Sequence, residues 1–175
     1  EIYPLSLHDA LPIYDHTIAT NVVVPAGSYA ILARNGDTAV NGGVTAAYVY
    51  SGFLLGNADD EVIISNGATV IDEVFYGGPL NFPIPAGASM NLSANALDAV
   101  ANDSGFNWCL STDAFGAGDD GTPGAANKEC APAAWTCNPL FYDADDGCEC
   151  GCGAADPDCT DGLGASCDFG DALGS

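Results

Sequence analysis

Two acidic clusters near the C-terminus hold the residues whose type and spacing best fit a chemistry. Asp143, Asp145 and Asp146 precede Gly147, and Asp156, Asp158 and Asp161 precede Gly162. Alternate aspartates in a glycine-turned loop offer a hard cation several oxygens at short range. Asp143, Asp145, Asp156, Asp158 and Asp161 are therefore candidate calcium ligands, with Ca2+ the one cofactor the chain suggests. The EF-hand pattern is not met, because Gly147 falls one position early and no Glu stands at the twelfth place. The competing reading is a solvated acidic loop.

Thiols form the second constellation. All eight cysteines follow residue 108, and Cys137, Cys148, Cys150, Cys152, Cys159 and Cys167 crowd one acidic stretch. An even number suits disulfides and an oxidising compartment. On an extended backbone Cys148, Cys150 and Cys152 share one face. Adjacent members make awkward partners, so each is expected to reach Cys137, Cys159 or Cys167. Six cysteines allow fifteen pairings and spacing does not choose among them. A soft-metal thiolate site is the rival. The chain has only two histidines, and its dense acids and oxidising setting oppose that reading. Hydrolysis would call for a carboxylate pair in a cleft or a Ser–His–Asp set. His8 and His16 sit far from both clusters, and nothing singles out a pair of acids. No catalytic residue is assigned, and the expectation is a protein that is not an enzyme.

The formal charge is −22, with 24 acids against Arg34 and Lys128 alone. Such a surface repels phosphate backbones and anionic headgroups, which excludes nucleic acid and anionic membranes as partners. Yet only 15% of residues are charged and 48% are apolar, so the chain is not a disordered acidic tail. No apolar run is long enough to insert in a membrane. The compartment these features imply is extracellular or cell-surface. The chain starts at Glu1 without an initiator Met and reads as a fragment of a larger parent.

The elements that must position these groups are strands. Short apolar runs, Val22–Val24, 28–33, 47–55, 61–65, 69–76, 88–93 and 106–110, alternate with turn signals such as Asn35-Gly36-Asp37 and Asn41-Gly42-Gly43. Asn66-Gly67 between two runs predicts a tight hairpin. Period two places Val70, Asp72, Val74 and Tyr76 on one face, with Ile71, Glu73 and Phe75 on the other. Asp59-Asp60-Glu61 and Asp119-Asp120 read as turns. Residues 96–102 supply at most a short helical turn. The aromatics Tyr48, Tyr50, Phe53, Phe75, Tyr76 and Trp108 read as core, and Trp135 with Phe141-Tyr142 as the cover of a minimal C-terminal core. The fold class expected is an all-β sandwich.

The run from Ser28 through Gly77, strengthened by 88–92, by Asn107-Trp108-Cys109-Leu110 and by the segment 121–130, resembles a bacterial lamin-tail domain. The resemblance covers residues 14–130. It implies an immunoglobulin-like β-sandwich, a disulfide between Cys109 and Cys130, and a non-catalytic part in an exported or surface-attached protein. The family's usual opening motif, a "W-I-E" strand followed by a "G-W" strand, is missing, so the first strands of the sandwich are expected to be absent. Residues 1–13 resemble translated sequencing-adaptor read-through and are set aside. Residues 135–159 look like a cysteine-rich element found beside such domains, and 156–162 faintly resembles the calcium repeats of matrix proteins. The organisation expected is thus a sandwich over 14–130, a linker over 131–136, a cysteine-rich acidic module over 137–167 and a frayed tail over 168–175. The function expected is adhesion, spacing or anchoring. Its partners would be an unknown protein or surface polymer and other domains of the parent chain. The alternatives are a calcium-dependent binding module and an accessory domain of an exported hydrolase.

Overall fold

The computed structural model describes residues 16–77, 80–84, 87–145 and 147–159. The chain divides into two compact units, Glu1–Leu54 and Leu55–Ser175.

In the first unit, β1 (Leu32–Ala33) and β2 (Tyr48–Val49) pair in parallel, Leu32 opposite Tyr48 and Ala33 opposite Val49. The apolar run 28–33 thus yields two strand residues, and Val22–Val24 yields none. Val23 is 81% exposed, with no strand beside it to share a ladder. The connection between β1 and β2 is held by Asn41, whose amide nitrogen donates to the carbonyls of Asn35 and Val44. Its side-chain oxygen accepts from the Val44 N–H. That single side chain closes both turn signals. Four rings gather nearby: Tyr50 stacks on Phe53 at 4.5 Å, and His16 Nε2 lies 2.7 Å from the Tyr48 hydroxyl.

The second unit is led by a hairpin, β3 (Asp59–Asn66) with β4 (Thr69–Gly77). The tight turn sits at Gly67-Ala68, one residue later than the Asn-Gly signal, and Asn66 pairs with Thr69. Gly67 takes φ 59°, a region open to glycine at little cost. Asp59-Asp60-Glu61 lies inside β3 rather than in a turn. Its acids are accommodated because Asp60 accepts from the Gly56 N–H while its backbone pairs opposite Tyr76. The register shifts between Ile64 and Ser65, leaving Ile71 as the extra residue of a β-bulge. Beyond the bulge the alternation is clean. Asp72, Val74 and Tyr76 turn inward, whereas Glu73 and Phe75 face out. Tyr76 is buried and donates to the Gly56 carbonyl at 2.6 Å.

Two shorter strand pairs follow. β5 (Met90–Leu92) pairs antiparallel with β6 (Trp108–Leu110), and β7 (Ala114–Phe115) with β8 (Asp119–Asp120). Asp119-Asp120 is thus a strand, not a turn, and a bridge from Ala88 to Asp120 ties it to the approach to β5. Two 3-10 turns, Ala101–Asp103 and Gly105–Asn107, lead into β6. Trp108 donates its indole N–H to the Asn102 carbonyl at 2.8 Å and packs on Phe82 at 5.7 Å. Asn91 and Asn102, each the first residue of an Asn-x-Ser sequence, are both buried. Among the described residues the secondary structure is short strands in four two-stranded sheets, plus 3-10 turns. The fold is β-rich, almost without helix, and cross-linked by disulfides.

Candidate functional site

The site grows from β5 and β6. Cys109 on β6 sits opposite Asn91, and Cys130 reaches it in a disulfide with Cα atoms 5.7 Å apart. Segment 127–130 is laid along the end of β5 by three bonds. Asn127 donates to the Leu92 carbonyl, Ala94 N–H to the Lys128 carbonyl, and Cys130 N–H to the buried Ser93 hydroxyl. Lys128 is thereby fixed at the surface. Its ammonium lies 3.5 Å from Asp113 and 3.3 Å from Asp145. Burial alone would lower its pKa, but the hydrogen bond to Asp145 and the charges of Asp113 and Asp145 outweigh this and raise it.

The C-terminal stretch is too polar to hold itself by apolar burial, and disulfides do that work; those between described residues join Cys137 to Cys152 and Cys148 to Cys159. Cys148 and Cys152 are almost wholly buried. Cys148 and Cys152 therefore reach outward to flanking cysteines, not to one another. No described cysteine is free; Cys167 lies outside the described residues. Trp135 is buried, donates to the Asn138 carbonyl at 3.1 Å, and meets the Tyr142 ring edge-on at 4.9 Å.

The aspartates behave differently from one another. Asp156 is 2% exposed, and its carboxylate accepts the backbone N–H groups of Asp143, Glu149 and Asp158. Burial alone would raise its pKa. The hydrogen bonds from Glu149, Asp143 and Asp158 outweigh that and hold it below the usual carboxylate range. Asp143 in turn accepts the Glu129 N–H at 2.6 Å, so the chain 129–143–156 ties the cysteine-rich stretch to the segment beside β5. Asp158 is pushed up, first by burial and then by Asp156, Asp145 and Asp143, against a backbone hydrogen bond from Asp145. Asp143 and Asp145 both take positive φ, 54° and 58°, a conformation Asp tolerates better than most residues. Of the five candidate calcium ligands, the structure draws Asp143, Asp156 and Asp158 together through backbone hydrogen bonds and gives Asp145 to Lys128. Asp161, like Asp146, lies outside the described residues. Among the described residues no set of three His, Cys, Asp or Glu side chains is arranged to hold a metal ion.

Spacing alone missed the part played by Asp156 and Lys128. The signals were present: Asp-Pro-Asp is a sequence in which the first carboxylate readily caps the N–H two residues on. A lone base among many acids must also be claimed by some of them. Beside Lys128 opens a cavity of about 500 Å³, lined by Trp108, the Cys109–Cys130 bridge, Trp135 and Tyr142. This is within the size range of small-ligand sites.

The chain matches no family model, no curated protein and no solved structure. The three disulfides between described residues suit an oxidising environment. No helix among the described residues is long and apolar enough to cross a membrane.

Proposed function

We propose that this chain is a non-catalytic module of an exported bacterial surface or secreted protein, serving adhesion, spacing or anchoring. Its first part is read as an immunoglobulin-like sandwich of the lamin-tail kind that lacks its opening strands, and its second as a disulfide-rich appendage. The observation that carries this reading is the set of three cross-links between residues 109 and 159, the last two interleaved. They give rigidity to a segment with little core, which is what an extracellular spacer needs and the cytosol does not supply. One feature adds support: Asp156 is spent on backbone amides, so its carboxylate is not set up as a proton-transfer group. The test is to express the chain with an export signal, purify it oxidised, and assay it against glycan, peptide and phosphoester substrates. The expected result is folded protein without turnover. Turnover of any of these that survives purification to constant specific activity would overturn the proposal.

A further inference from the structure

The cavity beside Lys128 has walls of one character and a rim of another. Trp108, Trp135 and Tyr142 supply ring surface. Both indole N–H groups are already bonded, to Asn102 and Asn138, so the tryptophans offer the cavity no polar atom, only π surface and ring edges. Trp135 and Tyr142 stand nearly perpendicular, at 77°, forming a corner rather than a flat platform. The charged residues on the lining are Asp113, Lys128 and Glu129. Lys128 is the sole Lys or Arg after residue 54. Its charge is answered twice, by Asp113 and Asp145, which leaves the rim net negative once Glu129 is added. The Tyr142 hydroxyl feels the same field: burial, then Glu129, Asp143 and Asp156, push it above the usual tyrosine range.

Rings lining a cavity under a negative potential attract a weakly hydrated cation, because the ring quadrupole and the carboxylates act in the same direction. An anion meets a rim of like charge, and a sugar would find few unspent donors on the rings. We infer that the Trp108–Trp135–Tyr142 cavity binds a quaternary ammonium group, with Asp113 and Glu129 supplying the long-range attraction. The inference rests on the proposed function only in taking the module to hold a ligand rather than transform one. A binding measurement therefore stands or falls apart from any assay of turnover.

The chain has two tryptophans, Trp108 and Trp135, and both line the cavity, so intrinsic fluorescence reports on the site directly. The experiment is titration of the oxidised full chain with choline chloride at constant ionic strength. A parallel titration uses 3,3-dimethylbutan-1-ol, the uncharged isostere. The expected result is a saturable fluorescence change with choline, and binding of the alcohol weaker by roughly tenfold. Glu129→Gln keeps an acceptor for the Asn95 amide and leaves the backbone bond to Asp143 in place. It should weaken choline several-fold and leave the alcohol unchanged. Tyr142→Leu, which removes the ring corner, should abolish the choline response; should it fail to fold, the Glu129→Gln comparison decides. Equal affinity for choline and the alcohol, a response that never saturates, or no response to either would overturn the inference.

Discussion

At the scale of single residues, Asp156 is the side chain on which most depends. A carboxylate that is 2% exposed and accepts three backbone N–H groups cannot be replaced without stranding those donors. Asp156→Ala should cost on the order of 2–3 kcal/mol, read as a lower midpoint in denaturant. A loss below a few tenths would show that water replaces it. The two neighbouring acids give opposite pH signs. The folded-state pKa of Asp156 is depressed, so its contribution is present above the unfolded carboxylate range and lost as pH falls through the folded value. Asp158 is raised, so its ionised form works against the fold, and mild acid relieves it before Asp156 protonates. Melting temperature followed downward from neutral pH should therefore hold or rise before it falls. Asp158→Asn should flatten the rise relative to the parent, whereas general relief of charge repulsion would leave it intact. The sequence showed these aspartates as a cluster, but not which would be buried, because a D-x-D spacing serves a turn and a cation equally well.

At the scale of elements, the hairpin β3–β4 was the most legible part of the fold. Asn-Gly between two alternating runs is a local signal, and it needs no distant partner to be read. Its edges were misread at Asp59-Asp60-Glu61, since acids at a strand end look like a turn until a partner strand is known. Gly77 closes β4 at φ 94°, and an added Cβ would run into the Ala58 carbonyl oxygen. Gly77→Ala should thus destabilise by roughly 1–3 kcal/mol, visible as faster amide exchange across β3 and β4. Unchanged exchange would mean the strand end relaxes freely. The short strands β1, β2, β5 and β6 were placed by their apolar runs but over-extended, because the length of a strand is set by its neighbour and not by its own sequence. In the cysteine-rich stretch the loop between Cys137 and Cys152 spans 15 residues. Replacing both by Ser should cost roughly 3 kcal/mol and loosen Trp135 against Tyr142, measured by near-ultraviolet circular dichroism. The bond between Cys109 and Cys130 was implied by family likeness, whereas the two C-terminal pairings lay beyond what spacing can decide.

At the scale of the molecule, charge and apolar exposure oppose each other. Val23, Val100 and Phe106 are each more than three-quarters exposed, and much of the outward face of β3 and β4 is apolar. A net charge of −22 keeps such surfaces apart. Screening or neutralising that charge should let them meet. Sedimentation should show association growing with salt and as pH approaches the isoelectric point near 4.1. A monomer under all these conditions would show that the exposed apolar groups are too scattered to associate. The disulfide cross-linking was legible from composition because an even count of cysteines in a small polar stretch has few other uses. The sandwich rests on resemblance alone, since the described residues form separate two-stranded sheets and these carry no local mark of a layered arrangement.

The central claim is a scaffold held by covalent cross-links in an oxidising compartment. Its most direct test is intact mass and non-reducing peptide mapping of the exported protein, with and without reduction. The account predicts no free thiol, no retained metal, and linked peptides joining Cys109 to Cys130, Cys137 to Cys152 and Cys148 to Cys159. Free thiols carrying zinc or copper at Cys148, Cys150 and Cys152 would contradict it and make that stretch a metal site.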